Sequence, residues 1–381
     1  MWTFTNDKQW AAMARRFPEI RDMAGVVQDP RHHAEGDVAI HTQLVLSALT
    51  NYTSYQSLPV DSQELVWTAA LLHDVEKRST TVVEPDGSVT SRGHARKGER
   101  TVRELLYTGY RLDTSPSFVE REQICKLVRY HGLPLWIFEK PDPLKTLLQA
   151  SLEVNTEWLT MLARADVLGR ICTDQADLLY RIDLFEEFCR DNQCWGQPYP
   201  FVSDEARYYY FTHETAYPDY VPFPEAGSEV VLLSGLPGVG KDTFIAQHLS
   251  DWPVISLDTY RRKLKISPTD KQGTSYVVHL AKEEAKTMLR SKTSFVWNAT
   301  NLTRQLRQQL IDLFTTYKAQ VRLVYLEVPH QQLVRQNETR EHVVPGDVLD
   351  RMFQRLEIPA LWEAHDVQYF VPERIESTIS S

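Results

Sequence analysis

The sequence predicts a two-domain protein, a mostly helical first half followed by an α/β half built on a parallel sheet. Three observations carry this. The 381 residues exceed what one hydrophobic core usually organises. From about residue 37 to 190 the apolar residues recur at helical spacing. After Val230, short β-branched runs alternate with helical stretches, the rhythm of a sheet covered on both faces. The expected divisions are residues 1–193, a connector at 194–228, and residues 229–381.

In chain order, Val38, Leu44, Val45 and Leu49 fit one helix face, and Leu65, Ala69, Leu72 and Val75 fit another. Thr80–Thr90 interrupts them with two β-branched runs around Asp86-Gly87, a hairpin signal. Leu159, Leu162 and Val167 resume the helical pattern. In the connector, Pro198, Pro200, Pro218, Pro222 and Pro224 argue against helix, and Tyr208–Phe211 suggests packing against a domain, or base stacking. Strands are expected at Val230–Ser234, Val254–Leu257, Ser294–Trp297 and Val321–Val328.

Composition narrows the class. The hydrophobic share of 42% and charged share of 24% are ordinary for a globular protein. The N-terminus lacks the order of a signal peptide and no apolar run is long enough to span a bilayer, so no membrane partner and a cytoplasmic location are expected. Four scattered cysteines argue for reduced thiols rather than a disulfide framework. A net charge of −9 argues against indiscriminate nucleic-acid wrapping but permits a local basic groove. Arg261, Arg262, Lys263, Lys265, Arg304 and Arg307 are the candidates for one.

Two constellations carry chemistry. In the first half, His73 and Asp74 close an apolar helix, accompanied in chain order by His41, His94, His131 and Asp166, each at or near an expected helix end. Imidazole and carboxylate together suit a divalent transition metal, which polarises phosphoryl oxygens and acidifies water. Arg92, Arg96, Lys97 and Arg100 flank His94 and could hold substrate phosphates.

In the second half, Gly235-Leu-Pro-Gly-Val-Gly-Lys241 has Walker A spacing between a strand and a helix-forming stretch. Gly235, Pro237, Gly238, Val239 and Gly240 form the loop whose backbone curls around phosphates, and Lys241 reaches the β/γ oxygens. Asp242 stands where Ser or Thr usually helps hold Mg²⁺, and Thr243 comes one place later. Asn298 ends a strand where related kinases place an Asp. We read the carboxylate as having changed sides, with Asp242 supplying charge near the metal; simple helix capping is the alternative. Asp258 and Arg261 sit at the carboxyl edge of the second strand, where doubly wound sheets bind ligands. Arg335 and Arg340, ahead of Val344-Pro345, have the look of a lid over a γ-phosphate.

The order His41, His73-Asp74, His94, His131, Asp166 resembles the HD phosphohydrolase superfamily, and residues 30–170 look most like the HD domain of bacterial CCA-adding enzymes. This implies an all-α HD phosphohydrolase domain. Its core ligands would be His41, His73, Asp74 and Asp166, with His94 and His131 holding a second ion. His33 is a further candidate for the first position, which His41 fits better by its place ahead of Leu44-Val45. Residues 229–355 resemble the 5′-OH polynucleotide kinases of bacteriophage and bacterial RNA repair. That implies Asp258 as general base, Arg261 on acceptor phosphate, and Arg335 and Arg340 on the transferring group. An HD module ahead of a polynucleotide kinase is the layout of the HD-Pnk end-healing family. The resemblance implies removal of 2′,3′-cyclic, 3′- and 2′-phosphates with one or two divalent transition metals, and 5′-OH phosphorylation from ATP or GTP with Mg²⁺. It also implies RNA or DNA ends as partners and a functional link to a ligase. The rival readings are a nucleotidase fused to a small-molecule nucleoside kinase, and a nucleotide-sensing module.

Overall fold

The computed structural model describes residues 2–223, 227–267, 269–340 and 342–372. Pro224 and the expected end of the second domain, 373–381, lie outside them. The chain divides into two compact units, Met1–Pro200 and Phe201–Ser381.

The first unit is helical apart from one small hairpin. We label its longer helices α1 (Val38–Thr50), α2 (Val60–Leu72), α3 (His94–Thr108), α4 (Phe118–Tyr130), α5 (Thr156–Leu168) and α6 (Gln175–Asp191). Several starts follow from local chemistry. Asp37 accepts from the Ile40 amide at 2.8 Å, Ser117 and Glu120 form a capping box, and Asn155 accepts from the Trp158 amide at 3.1 Å. Leu65 through Leu72 are buried without a break, so α2 is apolar all round and takes the central position. It packs on α1, α4 and α5, while α3 packs on α4 and α5 on α6. Val45, Leu49, Leu71, Leu72, Leu105, Ile124, Leu127, Leu159 and Leu162 are among the core residues this buries. The hairpin pairs β1 (Val82–Val83) with β2 (Val89–Thr90), and Gly87 turns between them at φ +84°.

Close approach of α5 to α1 depends on Gly169. A Cβ there would lie 2.8 Å from the Val45 backbone nitrogen and 3.1 Å from its Cα. Any side chain would push the helices apart.

In the second unit, α7 (Asp204–Thr212) precedes a five-stranded sheet. Its strands are β3 (Glu229–Ser234), β4 (Val254–Ser256), β5 (Phe295–Asn298), β6 (Gln320–Leu326) and β7 (Asp366–Phe370), ordered β4-β5-β3-β6-β7 and parallel throughout. The helices are α8 (Lys241–His248), α9 (Leu257–Leu264), α10 (Lys271–Arg290), α11 (Arg304–Thr316), α12 (His330–Glu338) and α13 (Gly346–Gln354). Val230, Leu232, Phe295, Trp297 and Leu323 pack with Ile311 and Phe314 of α11 and Ala281 and Ala285 of α10. Burial on both faces explains why β3, β5 and β6 read as near-continuous apolar runs.

Four sequence expectations change. A helix, α7, lies between Pro200 and Pro218, started by Ser203 accepting from the Ala206 amide. Tyr208 and Tyr210 of that helix are buried, and Tyr208 packs on the core of the second unit, so neither offers a free face for a base. A fifth strand, β7, completes the sheet. Arg307 is fully buried: its guanidinium pairs with Glu363 at 2.8 and 3.0 Å and donates to the Asn301, Leu302 and Glu357 carbonyls, so it cannot track a nucleic-acid backbone.

Candidate metal centre and P-loop site

In the helical unit, six of the singled-out side chains converge. His41 lies within α1, His73 and Asp74 follow the last residue of α2, and His94 opens α3 behind Gly93 at φ +79°. His131 follows α4, and Asp166 lies on the last turns of α5. Their ligating atoms form two groups, His41 with His73 and Asp166, and Asp74 with His94 and His131. Asp74 stands between them. Its Oδ2 is 3.3 Å from His73 Nε2 and 3.8 Å from His41 Nε2, while its Oδ1 is 3.3 Å from His94 Nε2 and 3.9 Å from His131 Nε2.

The outer ring nitrogens explain the aim. Nδ1 of His73, His94 and His131 sits 2.8, 2.7 and 2.8 Å from the carbonyls of Ala70, Ser91 and Val128. Each Nδ1 therefore carries the proton, and each Nε2 lone pair faces inward. His41 Nδ1 is instead 2.8 Å from Glu35 Oε1, and its Nε2 is 3.1 Å from Asp166 Oδ1.

A divalent metal fits this donor set on an observation of the fold itself. Among the described residues, His73 Nε2 and Asp74 Oδ1 are buried with no hydrogen-bond partner, and a cation between them would offset that cost. Imidazole and carboxylate in this mixture suit a transition ion.

Electrostatics make the carboxylates ready donors. Burial opposes charge on Asp74, but Lys77, His73 and His94 hold it well below the usual carboxylate range. Burial likewise opposes charge on Asp166, and Arg170 and His41 overcome it. Burial pushes His131 down to about 3, reinforced by His94 and His73, so its imidazole is neutral. Lys77 Nζ lies 2.7 Å from Asp74 Oδ2, and Arg170 pairs with Asp166.

His33 touches the six only through His41, the two rings meeting at 4.8 Å between centroids. Its Nδ1 is 2.8 Å from Glu35 Oε1, and its group comprises only Glu35 and His41. Sequence reasoning missed Glu35, Lys77 and Arg170 as partners. The last two follow Asp74 and Asp166 by three and four residues, a helical spacing for ion pairs that could have found them. The basic run near His94 is partly committed elsewhere, with Lys97 Nζ 3.2 Å from Glu76 and 2.6 Å from Ser79 Oγ.

In the second unit, β3 runs into the glycine loop, and α8 begins at Lys241. Gly235, at φ +149°, admits no side chain, because a Cβ would lie 2.4 Å from the Leu326 carbonyl oxygen. The turn after β5 braces the loop's base. Gly235 N donates to Thr300 O at 2.9 Å, Ser234 Oγ to Asn301 O at 3.1 Å, and Asn301 Nδ2 to Leu233 O at 2.6 Å.

Lys241 Nζ donates to the carbonyls of Gly235 and Leu236 at 3.1 and 2.8 Å. Burial by the surrounding loop lowers its ammonium to about 8, against the pull of Asp242 and Asp258. Asn298 Nδ2 donates to Asp242 Oδ1 at 2.7 Å, joining the two positions that depart from the usual loop. Asp258, exposed at the start of α9, accepts from Arg261 at 2.7 Å. Arg340 lies against the loop, its Cδ within 3.9 Å of where a Gly238 Cβ would stand, and its NH1 is buried without a partner among the described residues. Arg335 is exposed on α12, and Thr243 is exposed on the first turn of α8.

Residues 230–359 match the AAA domain family. Within that matched stretch fall Lys241, Asp242, Asp258, Arg261, Asn298, Arg335 and Arg340. The P-loop implies a nucleoside triphosphate with Mg²⁺. The multifunctional CCA protein of Methylococcus capsulatus is 35% identical over 130 residues, covering 34% of this chain and 27% of that protein. The L-seryl-tRNA(Sec) kinase of Methanococcus maripaludis is 22% identical over 162 residues, covering 39% of this chain and 61% of that one. A chain of the solved Pnkp1/Rnl/Hen1 RNA repair complex aligns at 19% identity and a TM-score of 0.32, covering 37% of this chain and 47% of that chain. The chain thus spans between 27% and 61% of the length of these relatives. No described helix is long and apolar enough to cross a membrane.

Proposed function

We propose that the protein heals both ends of a broken nucleic acid. The helical unit removes 2′,3′-cyclic, 3′- and 2′-phosphates, and the P-loop unit phosphorylates the 5′-OH from ATP or GTP. The observation that carries the first half is the convergence of four Nε2 atoms and two carboxylates around Asp74.

A divalent transition metal bound there supplies Lewis acidity to a phosphoryl oxygen and acidifies water. His41, His73 and Asp166 would hold one ion, and Asp74, His94 and His131 a second. The carbonyls behind His73, His94 and His131 fix the rings, and Lys77 and Arg170 supply positive charge at the edge of the site.

In the kinase half, Asp258 takes the proton of the attacking 5′-hydroxyl, held in place by Arg261. The acceptor oxygen bonds to the γ-phosphorus, and the bond to the β,γ-bridging oxygen breaks, releasing nucleoside diphosphate. Lys241 and Arg340 neutralise charge on the transferring group, with Arg335 joining when the α12 segment closes over it. Asp242 supports Mg²⁺. The relative named as an L-seryl-tRNA(Sec) kinase supports a nucleic-acid acceptor. Such an acceptor, and a ligase acting afterwards, follow from the products: a 5′-phosphate and a 3′-hydroxyl.

The deciding experiment offers γ-labelled ATP with a 5′-OH oligonucleotide and, separately, with free nucleosides. Label on the oligonucleotide supports the reading. Label on nucleosides alone replaces it with a nucleotide-metabolising enzyme, and ATP hydrolysis without any labelled acceptor replaces it with a sensor.

A further inference from the structure

Beside the metal centre, a cleft of about 290 Å³ is lined by His33, Lys77, His94, Trp136 and Arg170 among others. Trp136 leaves 41% of its surface exposed, with the Arg181 guanidinium 4.9 Å from the ring centroid. Lys77 and Arg170 already bear on the charge of His33. The cleft therefore offers an aromatic surface, two cations, the carboxylates of Asp29 and Asp174, and two imidazoles besides His94, those of His32 and His33.

The His33 imidazole has a fixed orientation. His33 Nδ1 lies 2.8 Å from Glu35 Oε1, and Glu35 Oε2 accepts from the Ile171 amide at 2.8 Å. The Ala34 amide donates to Ile171 O at 3.0 Å, and the His33 amide to Asp29 O at 2.9 Å, so the segment is tied at both sides. With Nδ1–H committed to a carboxylate, Nε2 is an acceptor. It lies on the opposite edge of a ring that lines the cleft. The same Glu35 oxygen is 2.8 Å from His41 Nδ1, so one carboxylate stands between the two rings, which meet edge to face at 4.8 Å.

We propose that His33 is a substrate contact rather than a metal ligand, its Nε2 accepting a hydrogen bond from the ribose hydroxyl vicinal to the phosphate. The inference rests on the phosphoesterase reading and deepens it, since it makes the cleft prefer ribonucleotide over deoxyribonucleotide 3′-phosphates. Trp136 takes the base, and Lys77 and Arg170 the phosphate. One neutral hydrogen bond to a hydroxyl sets the preference at about 10-fold.

The test is calorimetric binding of adenosine 3′-monophosphate and 2′-deoxyadenosine 3′-monophosphate to the full chain. Metal is removed so that neither turns over, and Lys241→Ala silences the P-loop. The parent binds the ribonucleotide about 10-fold more tightly. His33→Ala erases that preference by weakening the ribonucleotide alone, His33→Gln restores part of it through its amide oxygen, and both variants take up as much Mn²⁺ as the parent. Equal affinities in the parent, a preference surviving in His33→Ala, or lost Mn²⁺ uptake in both variants each overturn the proposal. Failure of the Mn²⁺-loaded wild type to hydrolyse either nucleotide would instead sink the phosphoesterase reading, while the affinity ratio still judges His33.

Discussion

Asn298 and Asp242 meet at 2.7 Å, amide donor to carboxylate acceptor. The loop lacks the usual hydroxyl after its lysine, and β5 lacks the usual acid at its end. The two departures touch each other, which makes them one arrangement rather than two independent losses. Asn298→Asp sets like charges together and should lower phosphoryl transfer at least about 10-fold at low Mg²⁺, with partial recovery at high Mg²⁺. Asp242→Ser alone should be similarly impaired. The double variant, which rebuilds the common arrangement, should be more active than either single one. Initial rates across a Mg²⁺ titration measure the coupling, and additive losses would leave Asp242 as a helix cap.

Gly169 sets the distance between α5 and α1, and with it the 3.1 Å between Asp166 and His41. Gly169→Val should weaken metal binding at least about 10-fold and cost about 1–3 kcal/mol of stability through overpacking. Metal titration followed by calorimetry checks the first effect and thermal unfolding the second. Transfer from ATP should be unaffected.

A buried ionic network joins α3 to α4. Glu99 meets Arg103 at 2.9 Å and Lys126 at 3.1 Å, and Lys126 meets Glu153 at 2.7 Å. Burial opposes the Glu99 charge, yet Lys126 and Arg103 lower its carboxyl to about 2 from an ordinary 4.5. A depressed folded value stabilises above the unfolded one, so this contribution is whole above about pH 4.5 and drains away towards pH 2. The melting temperature of the helical unit should fall across that window. Glu99→Gln should lower stability near pH 7 by about 1–2 kcal/mol, less than a stranded charge would cost because Lys126 keeps Glu153 and Arg103 keeps Glu122, and should flatten the acid limb.

Arg307 and Glu363 pair in full burial. Arg307→Ala should cost about 3–5 kcal/mol, leaving an uncompensated buried carboxylate. Arg304, partly exposed with its guanidinium 4.2 Å from the Trp362 ring centroid, should tolerate alanine with little loss. Chemical denaturation of both variants separates the roles that sequence alone assigned to them jointly.

The contrast between those two arginines marks what the chain discloses before folding. Strands β3, β5 and β6 were legible because sheet residues buried on both faces form apolar runs. The edge strand β7 was not: Gln368, Tyr369 and Phe370 are exposed, so it lacks such a run. Prolines on either side masked α7, although Ser203-Asp204-Glu205 carries a helix-start signal. The six converging side chains of the helical unit were legible because they recur at helix ends in a definite order. Glu35 was not, since a lone acid in a loop has no period, and only the fold brings it to His33 and His41 together. Arg307 read as part of a basic patch because its partner, Glu363, is supplied by a distant segment.

The two sites should be separable. His73→Ala or Asp74→Ala should abolish phosphate removal and spare transfer from ATP. Lys241→Ala should do the reverse, with at least about a 100-fold loss from withdrawing the charge that meets the phosphates. Loss of both activities from either change would mean one composite site.

The most direct test of the central claim is end analysis of a single RNA carrying a 5′-OH and a 2′,3′-cyclic phosphate. It is incubated with ATP or GTP and a series of divalent metals. A transition metal should open the cyclic phosphate and remove it to leave 2′,3′-hydroxyls, while NTP with Mg²⁺ should install the 5′-phosphate, each change proceeding without the other. An RNA whose cyclic end survives every metal, or whose 5′ end gains no phosphate while free nucleosides do, would contradict it.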